Sequence, residues 1–352
     1  MTEKLTLKKV AEKLGVSRTT VSNAYNRPDQ LSEDLRARII KEASALGYQG
    51  PDPAGRLLRT GKTDTLGMIF YDQTSEVFHD EMAMDLMRGV TRVCEDNGIS
   101  LLLIPTKTTN EGNTNCLRAL VDGFLVYSAF IDVSHNAVSA ILTRSLPTVG
   151  IDQRLSNMPM VGIDDEEGGH LAAKHLVDNG HKDIAIIGFY LHRDGQTGVA
   201  SEMRIETSLV PTCTQRLMGY RRGFREAGLD SLNMPFYETQ NGSYEQGFEA
   251  AMTALQQPNR PSALLCMSDV FAKAAMDAAH QLKLRVPEDL SIVGFDGVQS
   301  GQTTALPLTT VRQSGRAKGE AATKILLGLA PKEDVILPIE LVEGKTVAPP
   351  SK

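Results

Sequence analysis

The chain has no tryptophan, few aromatic residues and only four cysteines among its 352 residues. The absence of tryptophan removes one common sugar-stacking side chain but leaves Phe and Tyr for that role. The cysteines lie far apart, without a C-x-x-C pair, at Cys94, Cys116, Cys213 and Cys266. This pattern favours buried, reduced thiols over disulfides, a redox centre or a zinc site. His170 and His175 are five residues apart and miss the i, i+4 spacing of metal-binding helices, so we expect no metal and no cofactor.

Long hydrophobic runs are also missing. No apolar run approaches the ~18 residues that a membrane helix requires, and the N-terminal residues lack the apolar core of a secretory signal. Apolar residues make up 41% and charged residues 23%, an ordinary globular balance. We therefore expect a cytoplasmic protein of two or three domains with no membrane partner.

The net charge of −6 conceals a difference between the two parts of the chain. Residues 1–62 carry 12 Lys and Arg against 7 Asp and Glu, whereas the remainder carries 25 against 36. A basic N-terminal segment on an acidic body indicates a local polyanionic partner, although the same charge suits a plain solvated surface.

The basic N-terminal segment is predicted to form three short helices. Thr6, Ser17 and Ser32 are suited to cap them, and Gly15 and Gly47 end the first and the third. Each capping residue precedes a run with helical spacing of apolar positions. The segment therefore has the helix-starting and helix-ending residues of a small all-α domain.

The second of these helices, residues 18–26, exposes an unusual set of side chains. Val21 and Ala24 are its clear core positions, and the rest are Ser, Thr, Asn, Tyr and Arg. Ser, Thr, Asn and Arg bond well to phosphates and base edges. A helix, a glycine turn and a polar helix form a helix-turn-helix, whose second helix enters the major groove. A three-helix bundle of no special purpose is the alternative.

A specific motif runs through the same segment. The pattern A-x-x-x-G-V-S-x-x-T-V-S-x-x-x-N is met by Ala11, Gly15, Val16, Ser17, Thr20, Val21, Ser22 and Asn26. By this motif, residues 5–48 resemble the headpiece of the LacI/GalR family of bacterial transcription regulators. The resemblance implies base reading by Arg18, Thr19 and Asn23, and Arg18 suits guanine while Asn23 suits adenine. It implies phosphate or scaffold contacts for Ser17, Thr20, Ser22 and Asn26.

The linker, residues 50–62, has helix breakers at both ends and room for one or two helical turns. In the resembled family this segment is a hinge helix that orders on operator DNA, and paired leucines wedge into the minor groove. The resemblance makes Leu58 the candidate wedge, with Leu57 as the second choice. A flexible linker whose leucines pack on the core is the alternative.

From Leu66 onward, short apolar strands alternate with amphipathic helices. Strands are predicted at 66–71, 100–105, 122–127, 147–151, 184–189, 234–239, 262–267 and 291–295, and helices at 80–97, 166–179, 215–227, 243–256 and 270–283. Such alternation predicts parallel sheets with helices on both faces. Roughly 285 residues exceed one open sheet, so two similar lobes are the natural arrangement.

A short repeat supports two lobes. V-G-x-D sequences end strand-like runs at Asp152, Asp164 and Asp296. Ligands of open α/β sheets bind beyond the carboxyl ends of strands, so two facing lobes would place such aspartates around a cleft, where they can bond sugar hydroxyls. Capping of the following helix is the alternative for about half of such ends.

Further motifs extend the resemblance through the body. They are D-x-x-x-G-G at 164–169, H-L-x-x-x-G-H at 175–181, S-D at 268–269, I-V-G-F-D at 292–296 and L-T-T-V at 308–311. The implied fold is an all-α helix-turn-helix headpiece on a two-lobed α/β core like that of periplasmic binding proteins. We expect a DNA-binding domain at 1–49, a hinge at 50–64 and an effector-binding and dimerisation domain at 65–352.

The resemblance also implies the effector site. It assigns ligand contacts to Asp152, Arg216, Ser268 and Asp296, and Phe271 could stack on a sugar ring. Phe295 could stack in the same way, but a core role is favoured for it, and Asp269 is expected to cap the next helix. The segment between Gly188 and Arg216 is longer than in shorter family members and is expected near the cleft mouth.

An enzyme is disfavoured because the sequence lacks a G-x-G-x-x-G after the first strand, a P-loop, a G-x-S-x-G elbow and a metal-ligand spacing. The resemblance instead implies a transcriptional regulator, expected to be a repressor, that binds palindromic operator DNA as a homodimer under the control of a small effector such as a sugar. A corepressor-dependent regulator and a cytosolic sugar-binding module are the alternatives.

Overall fold

A computed structural model describes residues 5–50, 53–70, 77–78, 80–105, 115–127, 141–192, 194–302 and 305–351. The chain divides into two compact units, Met1–Asp64 and Thr65–Lys352, which we call the head and the body. None of the helices in the described ranges combines the length and apolarity needed to cross a bilayer.

The head is helical. Its helices are α1 (Leu7–Leu14), α2 (Arg18–Asn26), α3 (Glu33–Ala45) and α4 (Pro53–Thr60), with a 3-10 turn at Pro28–Gln30. Each predicted N-cap is confirmed, because the side chains of Thr6, Ser17 and Ser32 accept hydrogen bonds from backbone N–H groups in the first turns of α1, α2 and α3. Gly15 ends α1 with a φ of 63°, a left-handed conformation that glycine adopts without strain.

Packing between α1, α2 and α3 holds the head together. Its buried core consists of Val10, Ala11, Val21, Ala24, Ile39, Ala43 and Tyr48. The ring of Tyr25 meets that of Tyr48 edge-on, with centroids 5.8 Å apart. Arg36 on α3 donates from Nε to the carbonyl of Ala24 at 3.2 Å and thereby fastens the end of α2.

The body contains two sheets, which define lobe 1 and lobe 2. The lobe 1 strands are β1 (Thr65–Phe70), β2 (Ser100–Ile104), β3 (Gly123–Tyr127), β4 (Thr148–Ile151), β5 (Met160–Ile163) and β12 (Val335–Leu337). They run parallel in the order β12-β5-β4-β3-β1-β2. The lobe 1 helices are α5 (Glu81–Asp96), α6 (Asn115–Arg118) and α13 (Gly315–Leu326).

Lobe 2 has a seven-stranded sheet. Its strands are β6 (Ile184–Gly188), β7 (Gly198–Val199), β8 (Phe236–Glu238), β9 (Ala263–Cys266), β10 (Ser291–Asp296), β11 (Thr309–Arg312) and β13 (Glu340–Val342). The order is β13-β11-β10-β9-β6-β8-β7, and the two edge strands pair antiparallel. Its helices are α7 (Asp165–Asp178), α8 (Glu202–Glu206), α9 (Pro211–Glu226), α10 (Tyr244–Leu255), α11 (Asp269–Gln281) and α12 (Gln299–Gln302).

Helices cover both faces of the lobe 2 sheet. In β6, Ile184 and Ile186 pack with α7 and α9, whereas Ala185 and Ile187 pack with α10 and α11. The strand is buried on both sides, which is typical of parallel sheets in α/β proteins. This confirms the predicted fold class of a helical headpiece and a two-lobed α/β core.

The chain passes between the lobes three times. The crossovers join β5 to α7 at residues 163–165, β11 to α13 at 312–315, and β12 to β13 at 337–340. Each of them leaves the carboxyl end of a strand, so together they bring the ligand-binding edges of both sheets to one place.

A buried histidine fastens the C-terminal segment to lobe 2. Nδ1 of His181 lies 2.8 Å from Oγ of Ser262, and Nε2 lies 2.9 Å from the carbonyl oxygen of Ala348. Ser291 also contacts Nε2, at 3.0 Å. Burial lowers the pKa of His181, because the interior disfavours the charged ring.

All eight predicted body strands and all five predicted body helices are present, with shifts at their ends. The elements that were not predicted are β5, β7, β11, β12, β13, α6, α8, α12 and α13. The four cysteines are buried and none is in a disulfide.

Candidate functional site

The outward face of α2 carries the residues that were predicted to contact DNA. Val21 and Ala24 point into the head core, so helical periodicity places positions 18, 19, 22, 23 and 26 on the other side. Arg18, Thr19 and Asn26 are exposed there, and Ser22 and Asn23 are half-buried.

Four of the polar residues that were predicted to contact DNA form hydrogen bonds with one another at the two ends of α2. Oγ of Ser17 accepts from the backbone N–H of Thr20 at 3.0 Å and lies 2.8 Å from the Thr20 hydroxyl. Nδ2 of Asn26 donates to the carbonyl oxygen of Ser22 at 3.0 Å. These bonds order both ends of α2 and leave Arg18 and Thr19 on its exposed surface.

The two leucines of the linker differ in exposure. Both belong to α4, but the side chain of Leu58 is 89% exposed, whereas that of Leu57 is half-buried. A fully exposed leucine on a short helix contributes nothing to folding by burial. The wedge residue suggested by the sequence is therefore the one that the head leaves uncovered.

In the body, two glycines set the position of Arg216. A Cβ on Gly169 of α7 would lie 2.2 Å from the carbonyl oxygen of Arg216, and a Cβ on Gly219 of α9 would lie 1.9 Å from that of Glu166. Only glycine allows α7 and α9 to approach so closely. Their backbone contact places Arg216 of α9 opposite Asp165, the first residue of α7.

Arg216 is held on three sides at the end of the lobe 2 sheet. Its Nε donates to Oδ1 of Asp165 at 2.8 Å, and its Nη1 donates to the carbonyl oxygen of Met267 at 2.5 Å. Its guanidinium lies over the ring of Phe295, which is fully buried, as expected. Burial raises the pKa of Asp165 above its usual value, although the nearby positive charge of Arg216 offsets part of this rise. The planar guanidinium is thus fixed in orientation while it remains charged.

The start of α11 differs from the expectation. The N-cap is Ser268, whose Oγ accepts from the backbone N–H of Phe271 at 3.2 Å, so the prediction that Asp269 caps this helix is wrong. Ser268 has the extended backbone that a cap requires, and Asp269 is already helical. The carboxylate of Asp269 instead accepts from the Thr310 hydroxyl at 2.6 Å and from the Val298 N–H at 2.8 Å.

Phe271 lies in the hydrophobic core of lobe 2 and has no exposed surface. This placement does not fit the expected stacking on a ligand. Its ring centroid is 5.0 Å from that of Phe189, which follows the carboxyl end of β6 and is partly exposed. Phe189, which the sequence analysis did not single out, presents the accessible ring of this pair.

A chain of hydrogen bonds joins the two lobes. Nζ of Lys318, on α13, donates to Oδ1 of Asp152 after β4 and to Oε1 of Gln313 in the second crossover. Nε2 of Gln313 then donates to Oδ1 of Asp296, the last residue of β10, at 2.7 Å. We call Asp152, Lys318, Gln313 and Asp296 the interlobe chain. It brings two predicted effector residues, one from each lobe, into one polar network.

Charged groups near the interlobe chain change the pKa values of Tyr127 and Asp296. Burial raises the pKa of Tyr127 at the end of β3 well above its usual range, and the charges of Asp80, Asp152 and Asp296 raise it further. Burial also raises the pKa of Asp296, with Asp269 adding to the effect and Arg216 opposing it. Groups at the ends of β3, β4 and β10 thus influence one another electrostatically.

Sequence reasoning missed Asp80, Tyr127, Asp165, Gln313 and Lys318. A signal existed for Lys318, because it stands on the buried face of α13 among Gly315, Gly319 and Ala322. A lysine on a stripe of small residues is out of place for a simple packing helix.

Asp164, the second of the V-G-x-D aspartates, caps a helix. Its carboxylate caps α7 by accepting from the backbone N–H of Glu167 at 2.8 Å. Of the three V-G-x-D ends, this one has the capping role, whereas Asp152 and Asp296 belong to the interlobe chain.

The long segment between Gly188 and Arg216 is anchored on a buried carboxylate. Arg204 of α8 donates from Nε to Oε2 of Glu238 at 2.5 Å and from Nη1 to Asp194 at 2.8 Å. Glu238 also accepts from the N–H of Leu191 at 2.6 Å. Because Glu238 ends β8, this segment lies beside the carboxyl ends of the lobe 2 strands.

Among the side chains that the structure describes, no three His, Cys, Asp or Glu residues form a group that could hold a metal ion.

Comparison with known proteins gives the same division of the chain into a helical and an α/β part. Residues 6–50 match the family described as bacterial regulatory proteins, lacI family, and residues 173–347 match the periplasmic binding protein-like domain. The HTH-type transcriptional regulator Rv3575c of Mycobacterium tuberculosis is 36% identical over 98% of both chains.

Solved structures agree with this match. A lacI-family transcriptional regulator from Corynebacterium glutamicum superposes with a TM-score of 0.74 at 31% identity, over 98% of this chain and 100% of that one. The lac repressor dimer bound to operator and an anti-inducer has the same fold, with a TM-score of 0.78 at 23% identity and coverage of 98% and 100%. The chain therefore belongs to the lacI family of bacterial regulatory proteins, and it is a DNA-binding transcriptional regulator.

Proposed function

We propose that this regulator is a cytoplasmic homodimeric repressor without catalytic activity, whose operator affinity is set by a small ligand between lobe 1 and lobe 2. The observation that carries the proposal is the interlobe chain, which joins Asp152 of lobe 1 to Asp296 of lobe 2. A ligand that bonds these carboxylates interacts with both lobes at once and so favours one arrangement of them. We propose domains at 1–49, 50–64 and 65–352 for DNA binding, hinge, and effector binding with dimerisation.

The head supplies the DNA contacts. Arg18, Thr19 and Asn23 read base edges in the major groove, which suits the exposed or half-buried face of α2 on which they lie. Contacts to phosphates come from Ser17, Thr20, Ser22 and Asn26. The bonds that these residues make within α2 orient the helix for such contacts.

The hinge supplies a minor-groove contact. The exposed side chain of Leu58 inserts at the central base step, where a wedge from each subunit bends the DNA. Two heads then occupy successive major grooves, with half-sites about one helical turn apart.

The body supplies the effector site. Arg216 offers the outer edge of its stacked guanidinium, and Asp152 and Asp296 offer carboxylate oxygens from opposite lobes. Ser268 takes part by fixing the first turn of α11, and Phe189 replaces Phe271 as the ring that can meet a ligand. Carboxylates and a guanidinium together suit the hydroxyls of a sugar or related metabolite.

Control follows from differential affinity. A ligand shifts the protein between two lobe arrangements only as far as it binds one of them more tightly. In this proposal the ligand-bound arrangement disfavours the hinge geometry that operator DNA requires, so the ligand releases the repressor. The coupling is reciprocal, so operator DNA weakens ligand binding by the same factor.

The test is selection from random duplex DNA with the purified full-length chain, followed by addition of sugars and related metabolites to the bound complex. We expect enrichment of a palindrome with half-sites about one helical turn apart, and its release by at least one compound. Tighter operator binding on addition of a compound would show corepression instead. No enriched site, with or without a metabolite extract, would overturn the proposal.

A further inference from the structure

We propose that Asn241 is a site of spontaneous deamidation, at which the side-chain amide is converted to a carboxyl group without an enzyme. The reaction gives lobe 2 a slow, irreversible covalent modification beyond the carboxyl end of β8. This inference goes beyond the proposed function, because it requires neither DNA nor an effector.

The sequence offers three places for this reaction. Asparagine deamidates when the backbone nitrogen of the next residue attacks its side chain, and a following glycine leaves that nitrogen unshielded because it has no Cβ. Asn-Gly pairs occur at Asn97, Asn179 and Asn241. Asn97 and Asn241 are both exposed, so access of water does not distinguish them. Their hydrogen bonds do.

Asn97 and Asn179 directly follow the helices α5 and α7, and hydrogen bonds lock both of them. Nδ2 of Asn97 donates to the carbonyl oxygen of Val93, and Nδ2 of Asn179 donates to that of His175, each at 2.8 Å. The N–H of the following glycine is also bonded to a carbonyl oxygen of the last helical turn, at 3.2 Å after Asn97 and at 2.8 Å after Asn179. Attack would break both bonds at either site, so these two asparagines are protected.

Asn241 lies in the connection from β8 to α10 and has a different arrangement. Its Oδ1 accepts from the backbone N–H of Ser243 at 2.9 Å, and within the described ranges the N–H of Gly242 makes no hydrogen bond. The bond to Ser243 folds the Asn241 side chain back along the backbone, because the ring that it closes includes the Gly242 nitrogen. The attacking nitrogen is therefore free, and its target carbon is held beside it.

The reaction balances with water as its co-reactant. The Gly242 nitrogen gives its proton to the solvent and forms a bond to Cγ of Asn241, and the bond from Cγ to Nδ2 breaks as Nδ2 takes up a proton and leaves as ammonia. Water then opens the cyclic imide at either carbonyl, which yields aspartate or isoaspartate. Negative charge develops on Oδ1 during the attack. The N–H of Ser243 already donates to that atom, so it stabilises the transition state as an oxyanion-hole donor does.

The products change lobe 2 in charge and in backbone length. Both products add a negative charge just before the N-terminus of α10. Isoaspartate also places an extra carbon in the backbone of the connection 239–243. A Cβ on Gly242 would lie 3.5 Å from the ring of Phe189, so this connection packs beside Phe189. The modified chain therefore differs from the original at the ring that Phe189 presents.

The experiment is incubation of the purified full-length chain in mildly alkaline water labelled with heavy oxygen, followed by digestion in ordinary water and mass spectrometry of the three Asn-Gly peptides. We expect Asn241 to be converted at least about tenfold faster than Asn97 or Asn179, with labelled aspartate and isoaspartate as products. In the urea-unfolded chain we expect similar rates at all three sites, since each asparagine precedes a glycine.

Variants of the two following residues test the chemistry. Gly242→Ala adds a Cβ that shields the attacking nitrogen, and it should slow the conversion of Asn241 by about tenfold or more. The fold accommodates this change, because Gly242 lies outside the left-handed region and the Cβ would make an ordinary contact with Phe189. Ser243→Pro removes the N–H that donates to Oδ1, at a φ of −75° that proline adopts. It should slow the conversion relative to Ser243→Ala, which keeps the N–H and loses only the capping hydroxyl.

The inference is overturned by any of four results. They are no conversion of Asn241, conversion of Asn97 or Asn179 at the same rate in the folded chain, an equal advantage of Asn241 in urea, or a Gly242→Ala chain that is converted as fast as the wild type. Equal rates in Ser243→Pro and Ser243→Ala would refute the part assigned to the Ser243 N–H. None of these measurements involves DNA or a ligand, so the inference and the proposed function fail independently.

Discussion

The guanidinium carbon of Arg216 lies 3.5 Å from the centroid of the Phe295 ring, and its Nε bonds the carboxylate of Asp165. A planar cation on an aromatic face cannot rotate out of that plane without losing both contacts. The direction of the guanidinium is therefore fixed before any ligand arrives, and under the proposed function such preorganisation reduces the entropy that ligand binding must overcome.

Arg216→Lys should abolish the response to ligand, because an ammonium keeps the charge beside Asp165 but offers neither the stacking plane nor the outer donor edge. We expect at least about tenfold weaker ligand binding, or about 1.4 kcal/mol, with unchanged operator affinity in fluorescence anisotropy. Arg222→Lys is the matched control, since Arg222 stands on the same helix and bonds Glu166. Loss of operator binding in the Arg216 variant would contradict the assignment.

Leu58→Ala should weaken specific operator binding by about tenfold or more, because a minor-groove wedge recovers the cost of unstacking a base step. The affinity for non-specific DNA should change little, since non-specific binding is electrostatic. Leu57→Ala provides the comparison, as its side chain is half-buried. Equal losses on both kinds of DNA, or a larger effect at Leu57, would remove Leu58 from this role.

Arg18→Ala should cost about 1–3 kcal/mol of specific binding and relax the preference at one base pair in each half-site. The measurement is a repeat of the duplex selection with the variant. Arg38→Ala on α3 is the control for loss of one exposed positive charge, because Arg38 pairs only loosely with Glu42 at 3.9 Å. A preference that stays the same at every position would show that Arg18 contacts the backbone.

Stability should fall in mild acid through His181. Its pKa in the folded protein is lowered by burial, so the unfolded chain takes up a proton first as the pH falls below about 6.5. The contribution of His181 to stability is therefore full above that pH and is lost as the pH falls through the lowered pKa. His181→Gln should flatten this part of the pH profile in denaturant titrations, whereas the exposed His280→Gln should not. An unchanged profile in His181→Gln would contradict this linkage.

Much of the architecture could be predicted from local patterns. Thr6, Ser17 and Ser32 marked the helix starts of the head because a capping hydroxyl acts on its own first turn. The apolar strands were found because parallel strands are buried on both faces and read as continuous runs. The strand β11 was not predicted, because Thr309 and Thr310 are polar. Their burial depends on the surrounding sheet.

The candidate site could be predicted only in part. Asp152, Arg216 and Asp296 were found through motifs that bear a family resemblance, and each lies in the polar cluster of the body. Lys318 and Gln313 could not be found in that way, because their roles arise where the second crossover brings α13 beside β4. Asp269 was misread as the cap of α11, because Ser268, one residue earlier, supplies the capping hydroxyl, and adjacent Ser and Asp residues are both good caps.

The three crossovers also govern how the body can move. Each is only a few residues long, at 163–165, 312–315 and 337–340, so none can lengthen enough to let the lobes slide apart. Three short tethers between two rigid sheets leave rotation about a common axis as the soft motion, as in hinged domains. Under the proposed function, a ligand bound at the strand ends therefore acts on this one rotation. An inserted residue in a single tether would tilt that axis and disconnect the response from the ligand while leaving both lobes folded.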